Sequence, residues 1–451
     1  MTASAPTEST PDTVVKPTFW EAFWVWAKIG VLSFGGPAGQ IALMHRIVVE
    51  EKRWVEDARF LHALNYCMLL PGPEAQQLAT YLGWLMHGLR GGLVAGLWFV
   101  IPGAFVILAL SYLYVWYQSL PLLTGLFLGI KACVLVIVLH ALQRIAQKVL
   151  KNGVMRFIAA IAFLGIFVGD LPFPLIVLGA GVVGFLGARA GDERFLVLAS
   201  HGDAAGAAVP RSRRKALIRS AWVVGIGVVL WFAPIGIAGW WLGPNHVFVT
   251  EGIFFSKLAV VTFGGAYAVL AYMAQQAVEA FGWLSAGEML DGLGLAESTP
   301  GPLIMVTQFV GFLAAYRNAN PLEPEIAALI GSALTVWVTF VPCFIWIFLG
   351  APYVERMRSN VYATAALSAI TAAVVGVILN LAVWFGLHVL FANVDTHAIG
   401  PLRVLIPAVS SIDWVALGLA LIAGLALLRF HVSVFWTLLL SAVLGVLVTL
   451  L

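Results

Sequence analysis

Apolar residues in this chain do not alternate. They run in continuous blocks, interrupted by glycine, proline and short charged stretches. Continuous runs predict helices in an apolar medium, whereas barrel strands would alternate apolar and polar positions. The blocks at 92–117, 120–143, 153–170, 172–189 and 220–241 predict membrane-crossing helices. Those at about 17–34, 36–49, 58–70 and 74–88 are shorter, mostly below the roughly 20 residues that a span needs. They are broken at Phe34-Gly35-Gly36-Pro37 and Pro71-Gly72-Pro73. This pattern favours paired re-entrant helices whose tips are the Gly/Pro breaks. The chain then crosses roughly nine times, against about thirteen if every broken segment passes through.

The broken segment occurs twice. Residues 28–73 align without a gap on residues 257–302, with identity at 15 of 46 positions. The shared residues include Lys28/Lys257, Phe34-Gly35-Gly36/Phe263-Gly264-Gly265, Trp54/Trp283 and Pro71-Gly72-Pro73/Pro300-Gly301-Pro302. After an insertion at 317–325, Pro102 matches Pro342. The chain therefore divides into a polar tail expected to be disordered (1–16), a first membrane half (17–189), a basic linker (190–219), a connecting helix (220–248) and a second half (249–451). Basic residues place the linker and the stretch 144–156 in the cytoplasm. Counting crossings from there, the first half begins inside and the second outside. The loop 45–59 carries Arg46, Lys52, Arg53 and Arg59, while its counterpart 274–288 has no Lys or Arg. The fold class expected is an all-α polytopic membrane protein made of two inverted-topology repeats.

Composition sharpens this. Of the 451 residues 61% are apolar and 10% charged, with a net charge of +3; soluble proteins are about 45–50% apolar and about 25% charged. A soluble enzyme, a nucleic-acid binder and a disordered chain are excluded. Cys67, Cys133 and Cys343 are too dispersed for a metal site or a disulfide framework. The tail has no basic segment followed by an apolar one, so no signal peptide is expected. Nucleotide and cofactor motifs are absent from the sequence, so transport would draw on ion or voltage gradients.

Breaks at membrane depth are tolerated where they line a cavity. Four helix N-termini follow residues 36, 72, 265 and 301, and such ends attract anions; the alternative is a set of packing kinks. Lys28 and Lys257 lie six residues before the FGG breaks and could neutralise a dianion or snorkel to a headgroup. Lys131 sits mid-span. Glu74 follows Pro73 directly and is the candidate for proton coupling, or simply a helix-start carboxylate. Gln40, Asn65, Gln77, Thr299, Thr307 and Gln308 are neutral polar groups near the breaks, suited to an oxoanion or to neighbouring backbone. His140 and His388 read as packed residues.

The run FGGPxxQ (Phe34 to Gln40), Lys52-Arg53-Trp54-Val55, the run PGPEAQQLATYLGW (Pro71 to Trp84) and the second-half TFGG and STPGP runs resemble the chromate ion transporter family in its long, two-domain form. The resemblance covers nearly the whole chain beyond the tail. It implies efflux of chromate across a bacterial inner membrane, resistance to chromate, and sulfate as a competitor. The substrate site expected from the breaks is Phe34, Gly35, Gly36, Pro37, Pro71, Gly72, Pro73, Gly264, Gly265 and Gly301 with the lysines, amides and threonines above. Ala266 and Val269 stand where Pro and Gln would be expected, so the halves are expected to contribute unequally. The driving force expected is membrane potential, alone or together with proton antiport through Glu74. An anion channel or an uptake carrier are the alternatives; a chromate reductase lacks cofactor motifs. Besides chromate and sulfate, the expected partner is the lipid bilayer; a homodimer is compatible with the reading. The topology predicts that a cysteine at 357 is labelled from the cytoplasm and one at 118 from outside; the opposite labelling would refute inversion.

Overall fold

A capped start defines the first helix. The Thr18 hydroxyl accepts the Glu21 N–H at 3.2 Å, and α1 (Phe19–Leu32) ends before the FGG break. The structure, a computed structural model, describes residues 16–34, 36–117, 120–197, 213–263, 266–351, 361–399 and 402–451. Gly35, Gly264, Gly265, Arg211, Arg356, Arg358 and the labelling positions 118 and 357 lie outside the described residues. After α1 come α2 (Gly36–His45), α3 (Asp57–Cys67), α4 (Glu74–Tyr117), α5 (Pro121–Val149), α6 (Gly153–Phe167) and α7 (Phe173–Arg189). The connecting helix α8 (Arg213–Leu242) starts inside the stretch read as linker. The second half continues with α9 (Val247–Val261), α10 (Ala266–Ala274), α11 (Ala286–Ser298), α12 (Val306–Arg317), α13 (Pro324–Gly350) and α14 (Val361–Leu390). A hairpin of β1 (Val394–Ile399) and β2 (Leu402–Pro407) precedes α15 (Trp414–Gly424) and α16 (Val434–Leu450). Its strands pair antiparallel, Val394 opposite Pro407, and it is the one described departure from an all-α chain.

The short helices are re-entrant. Lys52, beyond α2, pairs with Glu21 at the start of α1, 3.0 Å apart. His45 contacts Asp57 at 2.6 Å, so α2 ends where α3 begins. α4 bends at His87 and Gly88, whose backbone is not helical, and the His87 ring lies 3.1 Å from the Pro17 carbonyl. The pairs α1/α2 and α3/first limb of α4 thus leave and return to one end. At about 1.5 Å per residue, the 14 residues of α1 span about 21 Å, short of a hydrocarbon core of about 30 Å. The second half repeats this: Arg317 bonds the Trp283 carbonyl at 2.7 Å and His246 contacts the Asn320 carbonyl at 3.2 Å. Even the π-turns recur, Arg46–Glu51 and Gln275–Ala280. Among the described residues, five helices are long and apolar enough to cross a membrane: α4, α5, α8, α13 and α14; α6, α7, α15 and α16 are shorter apolar helices.

The repeats are inverted. Gly92 of α4 lies against Phe348 of α13, while Tyr112 donates to the Glu325 carbonyl at 2.6 Å; these repeat mates therefore run antiparallel. So do α5 and α14, since Arg144 and Lys148 near the end of α5 line one cavity with Val361 and Thr364 at the start of α14. The halves are also exchanged. α6 and α7 pack on α14, and α15 and α16 on α5. Glycine lets these backbones meet: a Cβ on Gly129 would strike the Ser441 carbonyl, and one on Gly445 the Gly125 carbonyl. Without water to compete for them, such close small-residue seams hold membrane helices together. At the basic end, Arg194 chelates Asp192 at 2.7–3.0 Å and holds its carboxyl below the usual range. Asn152 bonds the Arg194 carbonyl at 2.8 Å. Gly445→Leu should overpack the α5–α16 seam, at a cost of about 1–3 kcal/mol or more, and lower the unfolding midpoint in detergent. Gly418→Ala, with open space around it, should leave that midpoint unchanged or slightly raised.

Candidate functional site

At the molecular centre the two kinds of break meet across the repeats. The Gly72 N–H donates to the Thr262 carbonyl at 2.8 Å, and its mate, the Gly301 N–H, to the Ser33 carbonyl at 2.9 Å. The hydroxyls of Ser33 and Thr262 each fold back on their own helix, to Ile29 and Leu258, at 2.6 Å. Gly72 and Gly301 have φ of +120° and +99°, accessible to glycine. Close packing reinforces this: a Cβ on Gly103 would hit the Pro300 carbonyl, and one on Gly72 would lie 2.8 Å from Cys343, the mate of Gly103.

Most polar residues near the breaks secure backbone. Gln40 donates to the Gly301 carbonyl at 2.6 Å and the Ser33 carbonyl at 3.3 Å. Gln77 donates to the Pro71 carbonyl at 2.7 Å, Gln308 to the Ala104 carbonyl at 2.9 Å, and Thr307 to the Ile304 carbonyl at 2.8 Å. Thr299 reaches the Ala296 carbonyl at 3.4 Å. The oxygens Oε1 of Gln40, Gln77 and Gln308 are buried without a hydrogen-bond partner.

Beside this crossing lies a cavity of about 750 Å³. Pro37 and Ala38 at the start of α2, Ala266 and Tyr267 at the start of α10, and Glu74 at the start of α4 line it. Three of the four expected helix N-termini therefore reach one space. The fourth, at Leu303, is buried away from it. Asn65 and His62 of α3 form another wall, and Arg144, Lys148 and Lys151 bring three positive charges. Arg144 and Lys148 also act electrostatically on Glu74. An oxoanion here would meet cations and helix N-termini, whose first N–H groups have no partner within their own helix.

The expected site residues separate into groups. Pro37, Asn65 and Glu74 line the cavity, and Gly36 opens α2. Pro71, Gly72, Pro73 and Gly301 form the adjoining crossing. Lys28 and Lys257 are exposed on the flanks of α1 and α9, outside the cavity lining. Phe34 is exposed and meets the Phe435 ring edge-on at 6.4 Å. Lys131, with no acid near it in sequence, pairs with Asp291 at 3.1 Å. His388 is packed on Trp384. Arg144, Lys148 and Lys151 were legible only as markers of the cytoplasmic face; their distance in sequence from the breaks hid their part in the cavity wall. Tyr267, which donates to Glu297 at 2.6 Å, carried no sequence signal beyond its place after FGG.

Two inverted repeats and discontinuous helices that meet beside a cavity are an architecture shared by many membrane transporters. A family model described as chromate transporter matches residues 20–185 and 250–446. The chain belongs to the chromate transporter family. It is 31% identical over 381 residues to a chromate transport protein of Pseudomonas aeruginosa, covering 83% of each chain. It is 27% identical to a probable chromate transport protein of Synechococcus elongatus, covering 80% of this chain and 82% of that one. A chromate transport protein of Cupriavidus metallidurans is 26% identical, with 78% of each chain covered. No solved structure matches the chain significantly.

Arg144→Ala and Lys148→Ala should each weaken chromate binding roughly tenfold, about 1.4 kcal/mol, with the difference from the parent shrinking as salt is raised. Equilibrium binding to purified protein at two ionic strengths checks this, and an unchanged dissociation constant in both variants would remove these cations from the site.

Proposed function

We propose that this multi-pass membrane protein exports chromate from the cytoplasm of a bacterium across the inner membrane and so confers resistance. The observation that supports this most is the cavity in which the starts of α2, α10 and α4 meet Arg144, Lys148 and Lys151. A tetrahedral dianion suits that donor set: N–H groups take its oxygens, and the cations offset its charge. Sulfate, of the same shape and charge, competes there. The cavity lies at the basic end of the molecule, which the positive-inside rule assigns to the cytoplasm. Lysine and arginine at that end raise the local concentration of an anion before it binds.

Direction follows from the field. An inside-negative potential of about 100 mV favours outward movement by roughly 2.3 kcal/mol per negative charge, or about 4.6 kcal/mol for a dianion. Glu74 adds a second coupling. Its carboxylate and a bound dianion repel each other in the same cavity, so the protonation of Glu74 and the occupancy of the cavity are linked.

The test is chromate and sulfate flux in proteoliposomes with imposed voltage and pH gradients. Saturable flux, stimulated by chromate on the opposite side and accelerated by a potential negative on the cytoplasmic face, is expected; linear, unsaturable flux would indicate a channel instead. Glu74→Gln should remove the response to a pH gradient and keep the response to voltage. A pH response that survives this change would dismiss Glu74 as the coupling group.

A further inference from the structure

The two-fold relation assigns every residue of the basic-end cavity a mate at the opposite end. Aligning α5 with α14 makes Ile130 the mate of Ile370 and Lys131 the mate of Thr371. Aligning α3 with α11 makes His62 the mate of Asp291 and Asn65 the mate of Gly294. On the basic side the cavity lies between these elements: His62 and Asn65 of α3 and Thr371 of α14 all line it. On the opposite side their mates are closed together. Lys131 Nζ lies 3.1 Å from Asp291 Oδ1, and Tyr114 donates to Asp291 Oδ2 at 2.8 Å. Gly294 packs directly on Ile130, with an ideal Cβ at 294 lying 3.4 Å from Ile130 Cβ. One sequence repeat thus holds both an open and a closed version of one interface.

We infer that the α5–α11 contact, locked by the Lys131–Asp291–Tyr114 cluster, is the outer gate of the anion path. The outward-open state forms when this contact is exchanged for its mirror image between α3 and α14. Opening the gate parts Lys131 from Asp291 and leaves its ammonium on the wall of the outer cavity, where Thr371 stands on the inner one. The exported dianion is then handed from Arg144 and Lys148 to Lys131. Asp291 takes the ammonium back as the gate closes, expelling the anion. This rests on the reading of the protein as an alternating-access carrier.

The experiment uses the full chain in proteoliposomes, with Cys67, Cys133 and Cys343 replaced by alanine. Disulfides need Cβ atoms about 3.5–4.5 Å apart, so Ile130→Cys with Gly294→Cys should cross-link readily in the resting protein. Chromate counterflow should then fall at least tenfold and return on reduction. The mirror pair, Asn65→Cys with Ile370→Cys, should stay reduced at rest and cross-link under chromate with an outward driving potential. Asp291→Asn, which frees Lys131 without a change of volume, should speed that mirror cross-link several-fold. Full counterflow through protein cross-linked at 130 and 294, or a mirror pair that never cross-links, would overturn the gate. A mirror rate unaffected by Asp291→Asn would overturn the role of the ion pair. If both pairs cross-link in turn but the parent moves no chromate, the exchange stands and the substrate assignment fails.

Discussion

Two hydrogen bonds carry this architecture: Gly72 N–H to the Thr262 carbonyl, and Gly301 N–H to the Ser33 carbonyl. A helix that stops inside a membrane leaves backbone groups that lipid cannot satisfy, each at a cost of several kcal/mol. Neither half can meet this cost alone, because the carbonyl that each break needs belongs to the other half. The repeat is therefore obligatorily paired. Gln40 reinforces the joint by donating to carbonyls on both sides of it. The exchange of α6–α7 and α15–α16 between halves extends the same dependence to the periphery.

That joint also shapes the candidate site. Once the breaks satisfy each other, the N-termini of the helices that start after them project beside the crossing. Their dipoles are fixed by covalent geometry and need no reorganisation when an anion arrives. Arg144 and Lys148 come from α5, which packs mainly against elements of the second half, and Lys151 from just beyond its end. The cavity is thus assembled from both repeats, and the inversion that joins the breaks places the positive charge of one half beside the helix starts of both.

Much of this was legible in the sequence, for identifiable reasons. The Gly/Pro breaks and the charge bias of the loops are local signals, so the repeat, the re-entrant pairs and their inversion could be read directly. The partners of the broken backbone could not. Gln40 and Gln308 resemble free donors until the fold brings Gly301 and Ala104 to them. Lys131 looked unpaired because Asp291 lies 160 residues away. The β-hairpin at 394–407 is a short alternating stretch between long apolar blocks and was overshadowed by them. Arg144 and Lys148 were recognised as charges, but helical contact across the repeats decides which charges face a cavity.

The departures from perfect repetition follow the same logic. A carrier with two identical halves would bind its anion equally on both sides, and its two end states would be equal in energy. Here the inner wall carries Arg144, Lys148 and Lys151, whereas the mates of the first two are Trp384 and His388. Glu74 has Leu303 as its mate, and Thr371 has Lys131. The shared glycines and prolines preserve the joint that both states need. The residues that differ make the two ends electrostatically unequal: Arg144, Lys148 and Lys151 line the cavity at the basic end, whereas at the other end Lys131 is paired with Asp291. Inverted repeats supply two conformations from one interface; substitution between the repeats makes those two conformations unequal.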